Sequence, residues 1–487
     1  MELRSPRNFL KDLLYYGLGN MLYSLVQFFS MPMVVKSMDK SQVANWNILL
    51  PTGILLAAIV TFGMDSAVVR FVKDTKTENE KKIIFSTGFF FEIGLAVFLA
   101  FCMWVFAGQF QSAIKLSPDY KSSWWMLVAW LPGVIVAQFF QNWFKYTFRR
   151  SLFLSLIILQ SAIYFVGILL MKISGHVNLF NVMLAMVASQ FAVAIAGFFY
   201  CRELFTFSIN SKLLKQLLLY GLPFMVLSFG YSFIGSVDRY VLAGKISEAD
   251  FAIYTQGFRI SAIISMVVSS FNFAFGPFLL SVLGQPQAPV IISRFHTYYL
   301  MVMCFIGLCF MALAKIIIHI LAGYDYIGGQ KFMLLFVTGY IFYGMYSFAQ
   351  AGIIHSRKSY LGLYTLLAGL TVVFLIDFLS VKKYMGYGTA TGFMLANIVM
   401  VILAGLFSAK YVPVRYNFLK DGTLLILLFG GGLLLSTFSL SANIYIDGGI
   451  KLGAVILLAG SILFTLLSVA DKLYISNFLS GRKLTSV

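Results

Sequence analysis

The stretch LKDLLYYGLGNMLYSLVQFF at residues 10–29 recurs without a gap as LKQLLLYGLPFMVLSFGYSF at residues 214–233, with ten identities in twenty positions. Leucine-rich sequence gives matches by chance. Lys11 with Lys215, Tyr16 with Tyr220, Gly17 with Gly221 and Ser24 with Ser228 are not matches of composition. Each copy opens an apolar run of about 20 residues, the length that crosses a hydrocarbon layer of about 30 Å as a helix. Six predicted helices separate the starts of the two copies, and because that number is even both enter the membrane from the same side. Two halves of equal orientation are parallel repeats, related by an axis along the membrane normal, an arrangement in which one bundle rocks against the other around a central cleft.

The remainder of the 487 residues agrees with this frame. Hydrophobic residues make up 60% and charged residues 11%, where a soluble globule carries about a quarter charged. Apolar runs of this length specify helices, since the alternating strands of a membrane barrel are only about 10 residues long. The chain therefore reads as an all-α polytopic membrane protein of about 14 helices, predicted at 12–35, 44–69, 83–107, 124–144, 151–171, 179–201, 214–237, 251–281, 296–322, 331–354, 360–380, 386–409, 422–441 and 450–470. These divide into six-helix bundles at 1–205 and 206–415, with an extra helix pair and tail at 416–487. The connections are too short for a soluble catalytic or nucleotide-binding domain. No GxxxxGK[ST] occurs, which excludes an ATP-driven pump within the chain.

The formal charge of +18 would suggest nucleic acid in a soluble protein. Here 23 Lys and Arg fall on alternate hydrophilic segments starting with the N-terminus and 11 on the others, with Arg259 and Lys315 inside helices completing the 36. That asymmetry places both termini in the cytoplasm and leaves no call for nucleic acid. Cys102, Cys201, Cys304 and Cys309 lie in or beside apolar runs and read as core residues. His296 and His355 have no carboxylate, Cys or His at a ligand spacing, so no metal site is expected.

The opening LLYYGLGN, followed by Phe28, Phe29 and Pro32, and the run LLLYGLPFMVLSFGYSFIGSVDRYVLAGKISEADFAIYTQGFRIS in the second half resemble the polysaccharide transporter family, within the superfamily of multidrug, oligosaccharidyl-lipid and polysaccharide exporters. The likeness lies nearest the Wzx-type O-antigen flippases. It implies a six-plus-six helix fold that alternates access and moves an undecaprenyl-pyrophosphate-linked oligosaccharide across the bacterial inner membrane. That makes the chain a transporter rather than an enzyme, a monomer among membrane lipids, with the polysaccharide polymerase machinery as a partner. Fourteen helices resemble the lipid II flippase branch instead, in which the extra pair helps form a groove for the lipid tail. A multidrug or cation antiporter of the same superfamily is the alternative, and it would want an acidic cavity.

A pyrophosphate headgroup needs a polar, cationic passage, and charged residues within helices usually face one. They are few here: Asp65, Glu92, Arg259, Lys315 and Asp377. Arg259 carries a fork that matches phosphate oxygens and is the candidate cation, against a structural ion pair with Asp238. Asn20 with Gln27, and Gln138 with Asn142, share helix faces and are candidates for sugar hydroxyls. Asp238 with Arg239 is a candidate gate between the halves or an exposed pair, and Asp65 with Arg70 a candidate inner gate latch or a plain local ion pair. Glu92 is the candidate for H+ or Na+ coupling, with no other cofactor expected. Lys315, His319 and Asp377 sit nearer the outer face, where snorkelling to water is the simpler reading.

Overall fold

The computed structural model describes residues 22–75, 77–147, 149–206, 210–283, 285–356 and 358–466. Among them there is no strand. The first half contains α1 (Leu22–Val35), α2 (Lys40–Val60), α3 (Met64–Asp74), α4 (Glu78–Val105), α5 (Ala107–Ala113), α6 (Lys121–Tyr146), α7 (Arg150–Ile173) and α8 (Leu179–Cys201). The second continues with α9 (Ser211–Ile234), α10 (Val237–Leu242), α11 (Glu248–Val282), α12 (Ala288–Ala312), α13 (Ala314–Leu321), α14 (Gln330–Ala349), α15 (Ala351–Ser356) and α16 (Ser359–Ala409). α17 (Phe418–Thr437) and α18 (Ile444–Leu466) close the described chain. Eleven helices among the described residues are long and apolar enough to cross a membrane.

The helices begin where the sequence supplies caps. Asp39, Asn178, Asn210 and Ser247 each accept a hydrogen bond from a first-turn N–H, at 2.7, 2.9, 3.1 and 3.1 Å, which satisfies donors that no helical carbonyl can reach. The 51 residues of α16 would extend more than twice the hydrocarbon thickness if straight. Met385, with φ 45 and ψ −124, breaks them within the predicted gap. The arms fold back on each other, so that Gly388 lies against Ser380 and Gly392 against Asp377.

The single helix predicted at 44–69 is instead two. The break falls at Thr61–Gly63, where Phe62 and Gly63 are left-handed at φ 47 and φ 68. Its cause is tertiary: a Cβ on Gly63 would stand 2.3 Å from the carbonyl oxygen of Gly221 on α9. Within the first half α8 packs on α6 and α7, and α4 on α6; in the second, α14 packs on α11 and α16. Across the seam α2 lies against α9 and α11, and α3 against α9.

α17 and α18 pack on α12, fixed at one end by a buried ion cluster. Asp447 sits 2.9 Å from Lys451 Nζ and 3.6 Å from Lys315 Nζ, and accepts the N–H of Leu440 at 2.6 Å. Lys315 is thus paired instead of snorkelling. Asp447→Ala strands two ammonium groups and is expected to cost about 3–5 kcal/mol, seen as a lower thermal midpoint in detergent that Lys451→Met partly restores. An unchanged midpoint would show that the cluster does not hold the pair.

At the other end His296 Nδ1 lies 3.1 Å from Asp421 of α17, and Thr297 donates to the same carboxylate at 2.8 Å. This partner of His296 is far away in sequence, which is why no spacing revealed it. Among the described residues no group of three His, Cys, Asp or Glu gathers as a metal site.

Candidate functional site

Arg259 lies on α11 where that helix faces α2. Its guanidinium stacks 4.0 Å above the ring of Trp46, a side chain only 2% exposed. Its Nη1 is buried without a hydrogen-bond partner. Asp238, the carboxylate weighed as its partner, is engaged elsewhere: Tyr254 donates to it at 2.7 Å and Arg239 Nη1 stands 3.6 Å away. The polar group from the first half that acts on Arg259 is Tyr164 of α7. Arg259 therefore holds a desolvated cation–π contact and keeps unused donor capacity at the seam.

The sequence predicts a water-filled cleft at this point, but in this conformation the seam is closed at both ends. At one end Glu248 of α11 accepts the hydroxyls of Ser41 and Ser117. Tyr240 and Thr52 join their hydroxyls at 2.9 Å. At the other end Gly63 meets Gly221, and Phe71 packs edge-on against Tyr220 with centroids 6.2 Å apart.

Behind Trp46 and Tyr164 the first half has a polar interior. Gln141 of α6 donates to Gln160 of α7 at 2.8 Å, and Gln27, Gln160 and Ser189 surround the Tyr23 hydroxyl. Ser30 approaches Tyr164. Of the amides expected to meet sugar, Asn20 lies outside the described residues and Gln27 is in this group. Gln138 is exposed and Asn142 half-buried. The α6 amide turned into the bundle is Gln141, one position away from Asn142. Spacing shows that two residues share a face, but the packing of α7 and α8 decides which face turns inward.

The carboxylates divide into two groups. Glu92 of α4 is 3% exposed, and Asp65 is the charge that acts on it. Asp65 accepts the N–H of Ser66 at 2.8 Å, and it also acts on Lys145 and Tyr146. Arg70, its expected gate partner, lies further along α3 on an exposed position.

In the second half Asp238 and Arg239, weighed as an exposed pair, are only 2% and 6% exposed. The short helix α10 turns back into the bundle and packs on α16, and Arg239 covers the ring of Phe258 at 4.0 Å. Asp377 is likewise buried instead of snorkelling. It is 0% exposed, with both carboxylate oxygens lacking a hydrogen-bond partner. Asp238 acts on it electrostatically, while Thr389 joins the Tyr254 hydroxyl at 3.0 Å. Of these two carboxylates Asp238 already has the guanidinium of Arg239 beside it, so Asp377 is the one whose oxygens are unengaged, hard donors suited to a proton or a hard cation and not to a soft metal.

An apolar groove of 180 Å³ runs between α12, α17 and α18, lined among others by Val302, Phe305, Leu308, Leu424 and Val455. It contains nothing that would bind a headgroup and is suited to a hydrocarbon chain.

A sequence profile for the family described as polysaccharide biosynthesis protein matches residues 9–281. No curated protein matches the sequence. Among solved structures the fold is similar to the lipid II flippase MurJ in an inward closed conformation, at 15% identity and a TM-score of 0.68, covering 91% of this chain and 99% of that one. It is similar to an inward-facing MATE family multidrug resistance transporter of the MOP superfamily, at 15% identity and a TM-score of 0.62, covering 80% and 94%. A MOP superfamily transporter from Pyrococcus furiosus matches at 16% identity and a TM-score of 0.56, covering 83% and 96%. At these identities the likeness is one of fold.

Proposed function

Because the chain belongs to the polysaccharide biosynthesis protein family, we propose that it is a flippase that carries a polyprenyl-pyrophosphate-linked oligosaccharide across the bacterial inner membrane by alternating access. The observation that carries this reading is Arg259 at the seam, a half-buried side chain whose Nη1 is buried and unpartnered and which has no carboxylate beside it among the described residues. Isolated charge within a membrane is costly and persists where a ligand uses it. A pyrophosphate supplies the anion, and the guanidinium fork fits its oxygens. A cation antiporter would place acid at this point instead of Arg259.

On this reading the regions 1–205 and 206–415 rock about the seam, the polar interior of the first half receives sugar, and the groove at α17 and α18 holds the lipid tail, as a lipid II type substrate would also require. Coupling to H+ or Na+ is assigned to Asp377 with Asp238, since Asp377 has both oxygens unmade. Glu92 becomes the second candidate.

The test is depletion of the chain in cells, with lipid-linked sugar assayed on each leaflet. Accumulation on the cytoplasmic leaflet is expected, and normal surface glycan would overturn the reading. In vesicles an imposed Na+ or H+ gradient should stimulate transfer by the parent chain and lose its effect in Asp377→Asn. Equal stimulation of both would return the coupling role to Glu92.

A further inference from the structure

A cavity of 410 Å³ opens on the seam at the end where α2 and α11 begin, which the basic-residue asymmetry assigns to the exterior. It falls within the range of about 300–1,000 Å³ typical of small-ligand sites. Both halves line it: Asn45, Ser112, Lys115 and Ser117 from the first, Glu248 and Phe251 from the second.

Glu248 is its acceptor. Oε2 takes the hydroxyl of Ser41 and Oε1 that of Ser117, both from the first half. Asn45 completes the ring, donating to Ser117 Oγ at 3.2 Å and accepting the Ser117 N–H at 3.0 Å. Among the described residues the carboxylate is thus engaged by hydroxyl donors and by no cation. Lys115 is held in the left-handed region at φ 59, a conformation that strains a non-glycine residue. It is exposed, and it makes no ion pair among the described residues. An acceptor, an amide, an unpaired ammonium and an apolar wall are what a sugar ring with its ring of hydroxyls requires.

A sugar hydroxyl is the same kind of donor as a serine hydroxyl, so it can take either oxygen of Glu248 without a change of charge. We propose that this cavity is an exterior subsite for the sugar part of the substrate, where sugar hydroxyls displace Ser41 and Ser117 from Glu248 and so release the seam at that end. The proposal rests on the transport reading for the presence of a sugar, but the site is separate from Arg259 and needs no phosphate.

The full chain in lipid nanodiscs is titrated with the repeat-unit oligosaccharide of the host's own surface glycan, freed of lipid and phosphate by mild acid. Saturable binding is expected, weakened about tenfold or more in Glu248→Ala, since hydrogen bonds to a charged acceptor are the strong ones. The double variant Ser41→Ala with Ser117→Ala should bind several-fold more tightly, because the internal competitors for Glu248 are gone. A latch with a purely structural role predicts no such gain. Absence of saturable binding, binding indifferent to Glu248→Ala, or no gain in the double variant each overturns the subsite. Transport by the parent chain is measured alongside. Binding without transport keeps the subsite and removes the transport reading, and transport with binding indifferent to Glu248 does the reverse.

Discussion

In vesicles that carry Arg259→Gln, transfer of a pyrophosphate-linked oligosaccharide is expected to fall by roughly 30- to 4,000-fold, the equivalent of the about 2–5 kcal/mol lost when one member of a desolvated, hydrogen-bonded charge pair is truncated. In the closed seam the guanidinium rests on Trp46 at 4.0 Å with Nη1 unbonded. The ring compensates part of the desolvated charge without satisfying its donors. A phosphate arriving when the halves part can take those donors, two at a time, which an amide cannot reproduce and an ammonium reproduces only as a point charge. Arg259→Lys should therefore recover part of the rate and Arg259→Gln almost none. A lipid-linked sugar with a neutral linkage in place of pyrophosphate should be insensitive to either change. Unchanged transfer by an Arg259→Gln chain that elutes as the parent does would remove Arg259 from the site.

How much of this was legible in the sequence depends on how local each signal is. The apolar runs and their caps are local, so the helical class and most helix starts are visible in the chain. The repeat marked Gly221 and Tyr220, and both stand at the seam against Gly63 and Phe71. Arg259 was legible because a cation has no ordinary reason to lie inside an apolar run. The break at Thr61–Gly63 was not, since it is set by α9 far along the chain. Taken along its own helix, Asp377 lies close to water. The turn at Met385 brings the next arm, with Gly392, against it. Spacing points to Asn142 and not to its neighbour Gln141, because periodicity defines faces while only packing on α7 and α8 chooses between them. Glu248, at a helix start, reads in sequence as a first-turn acid favoured by the helix dipole. Its serine partners are far away in the chain.

Gly221→Ala is expected to open the seam at the end where α3 meets α9. A Cβ on Gly221 would lie 2.4 Å from the carbonyl oxygen of Phe62, and one on Gly63 would lie 2.3 Å from that of Gly221. Both obstacles are backbone, so no rotamer change relieves them. Gly63 is also left-handed at φ 68, so its replacement adds backbone strain whether the seam is open or closed. Gly221 has no such requirement, which makes it the cleaner probe: its methyl group penalises only the state in which the halves touch. Overpacking of this kind costs about 1–3 kcal/mol, a shift of roughly 5- to 150-fold toward the parted state. Leu217, one turn earlier on α9, is 0% exposed and packs into the cluster with Met64 and Val68 of α3. With the four native cysteines replaced, Leu217→Cys should react with a water-soluble maleimide faster by that factor once Gly221→Ala is added. Net transfer should fall, because a transporter that cannot close one end cannot cycle. Labelling and transfer that both match the Gly221 parent would show that this contact is incidental packing and that closure is controlled elsewhere along the seam.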